Sequence, residues 1–329
     1  LDIISWLSLR DNHIVMAPPT ILIIGATGNT GRETVRTLSQ VLESSKTFSG
    51  YRLLAQTRSS NSAAAQQLAK LPHVEVIEYQ WPEITADWLR EQNVARAFIA
   101  SHNQPNQFAE ESTFLVAALR AGVEYVVRIS TTAANVFPTC DAYYPRTHWA
   151  IEAMLSSPEF EGLKWSSLQP NVFSTLVVGT AAELVKTYRK EGKQDTLRLI
   201  LDQDTPTGIL HPDDIGNFAA QLLSQEDVSV HNKAKYVLNG PEDVTGAQIV
   251  KLVEETIGAK VEDVVYKDVS FVEYMVAQSK ESKNVILSIK HAPETAWAGK
   301  AMVATTSKEV LELAPPTRTL ADTWREALE

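Results

Sequence analysis

Three glycines spaced G-x-x-G-x-x-G, Gly25, Gly28 and Gly31, close the apolar run Ile21-Leu22-Ile23-Ile24, and a helix-like pattern (Arg32, Glu33, Val35, Leu38, Val41, Leu42) follows directly. The chemistry this pattern suits is phosphate binding. A buried strand that ends in a tight turn and opens a helix aims backbone N–H groups and the positive end of the helix dipole at one point, which favours a pyrophosphate. Gly25 is expected to allow the turn, Gly28 the close approach of a dinucleotide and Gly31 the packing of helix on strand, with Thr27, Asn29 and Thr30 completing the loop. The strand before and the helix after supply the context that a glycine pattern alone lacks. Arg58 ends the strand-like stretch 51–57. A guanidinium there suits a ribose 2′-phosphate, as an acid would suit a free 2′-hydroxyl, so the expected cofactor is NADP(H). The offset from the glycines exceeds the usual ~20 residues, and a long first helix and loop would absorb the difference. Arg32, just inside the helix, points either at the phosphates or at solvent.

The elements that must position these residues alternate. Strands are expected at 51–57, 73–79, 95–100, 124–129 and 164–168, separated by helices at 63–71, 84–92, 108–121 and 145–155. That alternation predicts an α/β fold, a Rossmann-like doubly wound parallel sheet. Loops at the carboxyl ends of such strands face the ligand, which places Ser101 and Asn103 beside the cofactor. His102, in the same loop, reads as a packing or hydrogen-bonding residue. Gln80-Trp81-Pro82 after the third strand offers no acid to the adenine side. Pro145 suits a first helical turn, and Tyr144 and His148, four apart, meet on one face of the helix it begins. Tyr143 is an equally placed rival to Tyr144.

The chain has 329 residues, 44% of them hydrophobic, enough for a nucleotide-binding domain and a smaller companion. A net charge of −10 and the lack of a dense basic run argue against a nucleic-acid surface. Cys140 stands alone, so no internal disulfide forms and an intracellular chain is expected. No apolar run has transmembrane length. The first fifteen residues carry an apolar patch (Ile3, Ile4, Trp6, Leu7, Leu9) without the basic region or cleavage site of a signal peptide. Met16 reads as a natural start, and residues 1–15 are expected to be dispensable and poorly ordered, an upstream extension or an artificial addition. No His/Cys/Asp/Glu group has metal-ligand spacing and no Ser-His-Asp hydrolase motif is present, so no metal is expected. Beyond residue 173, helices are expected at 174–191, 213–222, 245–257, 270–279 and 320–328, and strands at 196–201, 236–240 and 261–267. Asp213 and Asp214 read as helix-capping acids. Phe137, Phe173, Phe271, Tyr274 and Trp297 are candidates to line an apolar pocket.

Taken together, the glycine loop, Arg58, the Tyr144…His148-Trp149-Ala150-Ile151-Glu152 helix, Gln169-Pro170-Asn171-Val172-Phe173, Leu210-His211-Pro212-Asp213-Asp214-Ile215-Gly216 and Tyr236-Val237-Leu238-Asn239-Gly240 resemble the NmrA-like group of atypical short-chain dehydrogenases/reductases. The resemblance implies an extension at 1–19, an NADP-binding Rossmann domain at 20–172 to which 205–240 returns, and a smaller, mostly C-terminal α+β substrate domain at 173–204 and 241–329. In reductases of the wider superfamily a Tyr-x-x-x-Lys pair acts: the tyrosine gives its proton to the carbonyl oxygen, while the lysine binds the nicotinamide ribose and lowers the tyrosine pKa. Tyr144 fits the tyrosine position and His148 occupies that of the lysine, as tyrosine partner and ribose contact. Thr131 or Thr132 stands where a serine would orient the substrate oxygen, and Pro170, Asn171 and Phe173 fall among the cofactor contacts. The implied activity is NADPH-dependent reduction of a small aromatic, quinonoid or enone carbonyl, in fungal secondary metabolism. The alternatives are a dinucleotide sensor that contacts a regulatory protein without turnover, and a non-redox isomerase. A monomer or homodimer is expected, cytoplasmic, or nuclear if a regulator.

Overall fold

The computed structural model describes residues 18–329; the expectations for residues 1–15 lie outside the described residues. Seven parallel strands form the main sheet in the order β3-β2-β1-β4-β5-β6-β8. They are β1 (Thr20–Ile24), β2 (Arg52–Thr57), β3 (Val74–Glu78), β4 (Val94–Ile99), β5 (Tyr125–Ile129), β6 (Lys164–Pro170) and β8 (Ala234–Leu238). β7 (Leu197–Leu199) and β9 (Val264–Tyr266) pair separately, also in parallel. Parallel strands need crossovers, and here helices supply them on both faces. Side chains alternate along β1: Ile21 and Ile23 join one core with Val35 and Leu38 of α1 (Gly31–Ser44), while Leu22 and Ile24 join the opposite core. That second core takes Leu89 of α3 (Ala86–Glu91), Phe114 of α4 (Gln107–Ala121) and Ile151 of α5 (Tyr143–Leu155). Burial on both faces is why β1 is apolar from Ile21 to Ile24. The remaining crossover of this half is α2 (Ala63–Leu68), capped by the Ser62 hydroxyl.

After β6 the chain leaves the sheet as α6 (Ser174–Glu191) and β7, then returns. α7 (Pro212–Leu223) adds Ile215, Phe218 and Leu222 to the core around α1, and β8 extends the sheet beside β6. A third core of its own gathers Val177, Ala181 and Val185 of α6, Leu197 and Leu199 of β7, Ile249 and Val253 of α8 (Gly246–Ile257) and Trp324 of α13 (Leu320–Leu328). Both α8 and α13 begin with capping boxes, Thr245/Gln248 and Thr319/Asp322. α9 (Phe271–Gln278) precedes three short helices, α10 (Lys283–Leu287), α11 (Glu294–Trp297) and α12 (Lys308–Leu313).

Several boundaries differ from the sequence reading. α5 begins at Tyr143, placing Pro145 inside the first turn, where its missing N–H costs nothing. β6 runs on to Pro170, because Gln169 and Pro170 continue the ladder to Val237 and Leu238. α10 to α12 are four to six residues long, too short for periodicity to reveal, and such helices depend on tertiary packing. α7 is capped by His211, whose Nδ1 accepts from the Asp213 N–H at 3.2 Å, and not by Asp213 or Asp214. Asp214 instead accepts from the backbone N–H groups of Thr317 and Arg318, pinning the C-terminal segment.

Candidate functional site

The glycine turn at the end of β1 is held from beside and below. Gly25 has φ +74°, a left-handed conformation that favours glycine, and a side chain there would meet the Ala100 carbonyl at 2.8 Å. A Cβ on Gly31 would lie 2.2 Å from the Gly25 carbonyl oxygen, so the first turn of α1 rests directly on the loop. The buried Gln56 amide binds both ways: its Oε1 accepts from the Gly25 N–H at 3.1 Å and its Nε2 donates to the Tyr79 carbonyl at 2.6 Å. The Thr27 and Thr57 hydroxyls meet at 3.1 Å. No side chain caps the N-terminus of α1. Arg58 is exposed at the end of β2, with no ion pair or hydrogen bond among the described residues. Arg32 does not line the cleft, and its Nε is buried without a partner among the described residues.

From this turn a cleft of about 1260 Å³ runs along the carboxyl ends of the strands toward α9 and α11. Gly25, Thr27, Gly28, Asn29, Thr30, Arg58, Ser101, Asn103, Thr131, Thr132, Tyr144, Pro170, Asn171 and Phe173 all border it. Phe271, Tyr274 and Trp297 border its far end, but Phe137 does not. Gly31 and His148 lie outside the lining as well, Gly31 because it is spent on helix packing. Trp81 and Ser130 line the cleft and were not singled out by the sequence. The two ends differ in chemistry: the glycine end carries Arg58, whereas the far end, built from Leu176, Ile200, Phe271, Met275, Ile289 and Trp297 among others, has no charged side chain.

Tyr144 and Thr131 both border the cleft, with the Thr131 side chain near enough to act on the Tyr144 hydroxyl. Burial pushes the Tyr144 hydroxyl up to about 12, against the smaller lowering effect of Thr131. Thr132 donates instead to Asn171 Oδ1 at 3.4 Å. Tyr143, the rival, points its hydroxyl at the Asn103 carbonyl oxygen. His102 closes its own loop, accepting at Nδ1 from the Gln104 N–H at 3.0 Å and meeting Glu110 through Nε2 at 2.7 Å. The Asn171 side chain is committed to the protein: Nδ2 donates to the Gly208 and Ala301 carbonyls at 3.0 and 2.9 Å, stitching three distant segments together.

His148 departs furthest from its expected place. It is 1% exposed and sits edge-on to Tyr144, ring centroids 6.5 Å apart, without a hydrogen bond between them. Its Nδ1 lies 2.8 Å from Nη2 of Arg128 and its Nε2 lies 3.0 Å from Oδ1 of Asn103. Burial and the Arg128 charge hold its pKa well below the usual histidine value. A neutral, enclosed imidazole can neither lower the tyrosine pKa by charge nor reach a ribose in the cleft, so the lysine role does not pass to His148. The reason is Arg128, fully buried in β5. Its Nε donates to Glu111 Oε1 at 2.5 Å and its Nη1 to Ser167 Oγ at 3.0 Å, with Glu152 at 3.7 Å. Glu111 also accepts from Ser101 Oγ at 2.8 Å and from Gln107 Nε2 at 3.1 Å. Burial alone would raise the Glu152 pKa, but Arg128, Ser167 and Lys235 outweigh it and hold the carboxyl below its usual range. Two cations, Arg128 and Lys235, thus balance two carboxylates, as a buried cluster requires.

The spacing signal for this cluster was faint: one arginine inside the apolar strand Tyr-Val-Val-Arg-Ile, and one glutamate on the apolar stripe of α4. Folding also brings Asp141, His291 and Glu294 together at the surface, donor atoms within 4.8 Å of one another. His291 Nδ1 and Glu294 Oε1 already pair there at 2.7 Å. Among the described residues no helix is long and apolar enough to cross a membrane.

No curated protein matches the chain. Among solved structures, an NADPH-dependent quinone oxidoreductase from Escherichia coli, complexed with NADPH, is similar with a TM-score of 0.70 and 19% identity, over 94% of this chain and 100% of that one. Triphenylmethane reductase from Citrobacter sp., complexed with NADP(H), follows with a TM-score of 0.64 and 19% identity, over 94% and 100%. The negative transcriptional regulator NmrA matches with a TM-score of 0.65 and 17% identity, over 95% of each chain. At these identities the likeness establishes the fold. The family model described as NmrA-like matches residues 18–313, nearly the whole chain, and the chain therefore belongs to the NmrA-like family.

Proposed function

We propose that the protein is an NADP(H)-dependent reductase of a small, uncharged aromatic, quinonoid or enone carbonyl compound. The observation that carries this is the continuity of the cleft: the glycine turn with the exposed Arg58 guanidinium at one end, Thr131 and Tyr144 along its wall, and an aromatic wall without charged side chains among the described residues at the other. The glycine end fits a dinucleotide, since a turn too tight for side chains meets an uncapped helix N-terminus. Arg58, exposed and unpaired among the described residues, suits the 2′-phosphate. A bound nicotinamide cofactor of this kind supplies hydride. In this reading Thr131 and Tyr144 bind the substrate oxygen, and Tyr144 Oη–H gives its proton to that oxygen as the carbonyl carbon is reduced. Burial pushes the Tyr144 pKa up to about 12, so the hydroxyl stays protonated through the neutral range but is a weaker acid than a tyrosine beside a lysine, and the proton transfer depends on how well the substrate oxygen is held against it. Fungal secondary metabolism is a setting consistent with such a substrate.

The test is NADPH oxidation against a panel of quinones, enones and aromatic ketones, with Tyr144→Phe in parallel. Turnover that falls by more than tenfold in the variant, with NADPH affinity intact, supports the proton-donor role, tenfold being ~1.4 kcal/mol of barrier. A variant as active as the parent removes Tyr144 from the chemistry. The second reading, a dinucleotide sensor that turns nothing over, draws on the missing lysine and on the likeness to a transcriptional regulator. Tight dinucleotide binding with no turnover on any compound favours it.

A further inference from the structure

The buried Arg128 cluster reaches the cleft at Ser101, through Glu111, and at Asn103, through His148, and it dictates which way the Asn103 amide faces. A guanidinium only donates, so the His148 nitrogen 2.8 Å from Arg128, Nδ1, must carry the lone pair. Gln107 Nε2, at 3.5 Å from the same nitrogen, is a second donor. The proton of the neutral ring then sits on Nε2 and is donated to Asn103 at 3.0 Å, which requires the Asn103 atom facing it to be Oδ1. The main chain of Asn103 is fixed as well, by the Tyr143 hydroxyl on its carbonyl oxygen. With Oδ1 and the carbonyl both engaged, the Asn103 amide nitrogen has no hydrogen-bond partner among the described residues, and Asn103 is exposed along the cleft.

We infer that Arg128 and His148 act as positioning residues that fix the Asn103 amide so that Nδ2 offers its hydrogens to an uncharged oxygen of the bound dinucleotide, a ribose hydroxyl or the carboxamide. The inference rests on the reading of the cleft as a dinucleotide site. Under it, the position where the superfamily keeps a lysine serves to set the polarity of a neighbouring amide, and no charge is delivered to the cleft. His148→Lys would therefore restore nothing. It would set an ammonium against the buried Arg128 guanidinium, in a cluster whose charges already balance, and the expected result is a lowered melting temperature with no gain in turnover.

The experiment is a titration of the full chain with NADPH and with NADH, read by fluorescence, alongside melting temperatures. Asn103→Ala is expected to weaken binding of the preferred dinucleotide roughly tenfold with little change in melting. His148→Leu is expected to weaken it comparably, and the double variant no further, because both remove one donor. His148→Gln, whose Oε1 can accept from Arg128 and whose Nε2 can donate to Asn103, is expected to stay within threefold of the parent. Unchanged affinity in Asn103→Ala, or single effects that multiply in the double variant, overturns the inference. If His148→Leu does not fold, the side-chain amide NMR signals of Asn103 decide: a shift on adding the dinucleotide supports the inference, and no shift overturns it. A parent chain that binds neither dinucleotide overturns the cofactor reading first and the inference with it, an outcome visible before any variant is made.

Discussion

Two arginines near the cleft are used in opposite ways. Arg58 is exposed at the end of β2 and pairs with nothing described, whereas Arg128, in the body of β5, is fully buried among Glu111, Glu152, Ser167 and His148. A guanidinium left in water stays solvated and available to an incoming anion. One taken out of water must find all its partners within the protein. The comparison teaches that charge kept for a ligand is thermodynamically idle until the ligand arrives, while charge kept for architecture is expensive to disturb. Removing Arg128 should therefore hurt the fold and removing Arg58 should hurt only binding.

The largest effect should come from Arg128→Leu, which strands Glu111 and Glu152 without their shared counter-charge. Breaking a buried pair from one side costs about 3–5 kcal/mol, so a large fall in denaturation midpoint is expected, and a variant as stable as the parent would show that the cluster is no architectural element. Next comes Arg58→Ala: melting within a degree or so of the parent, NADPH affinity reduced by about 1.5–3 kcal/mol, the range for hydrogen bonds to charged groups, and NADH affinity unchanged. Equal losses for both dinucleotides would dissociate Arg58 from the 2′-phosphate. The smallest effect is a pH dependence. The folded-state pKa of His148 is depressed, so the unfolded chain takes up a proton that the folded chain refuses as pH falls below the ordinary histidine value of 6.5. Stability is fully present above that pH and declines below it, by at most ~1.4 kcal/mol per pH unit from this one group. His148→Gln should flatten the decline in chemical-denaturation midpoints measured across that range.

The same contrast explains what could be read from the sequence. The glycine turn is local: strand, three glycines and helix lie within a dozen residues, and the alternation of apolar runs revealed the parallel sheet. The place of Arg58 at the cleft was legible because the end of the second strand is a fixed address in such a fold. That Tyr144 and His148 are neighbours on one helix was legible as well, but the surroundings of His148 were not, because they depend on Arg128 from another strand, on Asn103 and Gln107 from another loop and helix, and on whether the ring is enclosed. Spacing along one helix says which residues share a face and nothing about what lies opposite. A lone arginine in a strand buried on both sides was the available clue, since such a charge obliges a partner elsewhere. Asn171 borders the cleft as expected, but its side chain also stitches segments together, which the sequence does not reveal for a comparable reason: the acceptors of its Nδ2, on Gly208 and Ala301, are carbonyls that any residue provides.

The return of the chain to its first sheet also bears on how the protein is made. α1 leaves the ribosome early, yet the helix that covers its apolar side, α7, is about 170 residues behind, and β8, which closes the sheet edge at β6, is later still. Until α7 has been synthesised the side of α1 away from β1 has no native covering, and until Leu238 the flank of β6 has none, so the growing chain carries a greasy surface and an open strand edge. The glycine turn and its strand can assemble during translation, but the sheet is complete only once β8 has emerged.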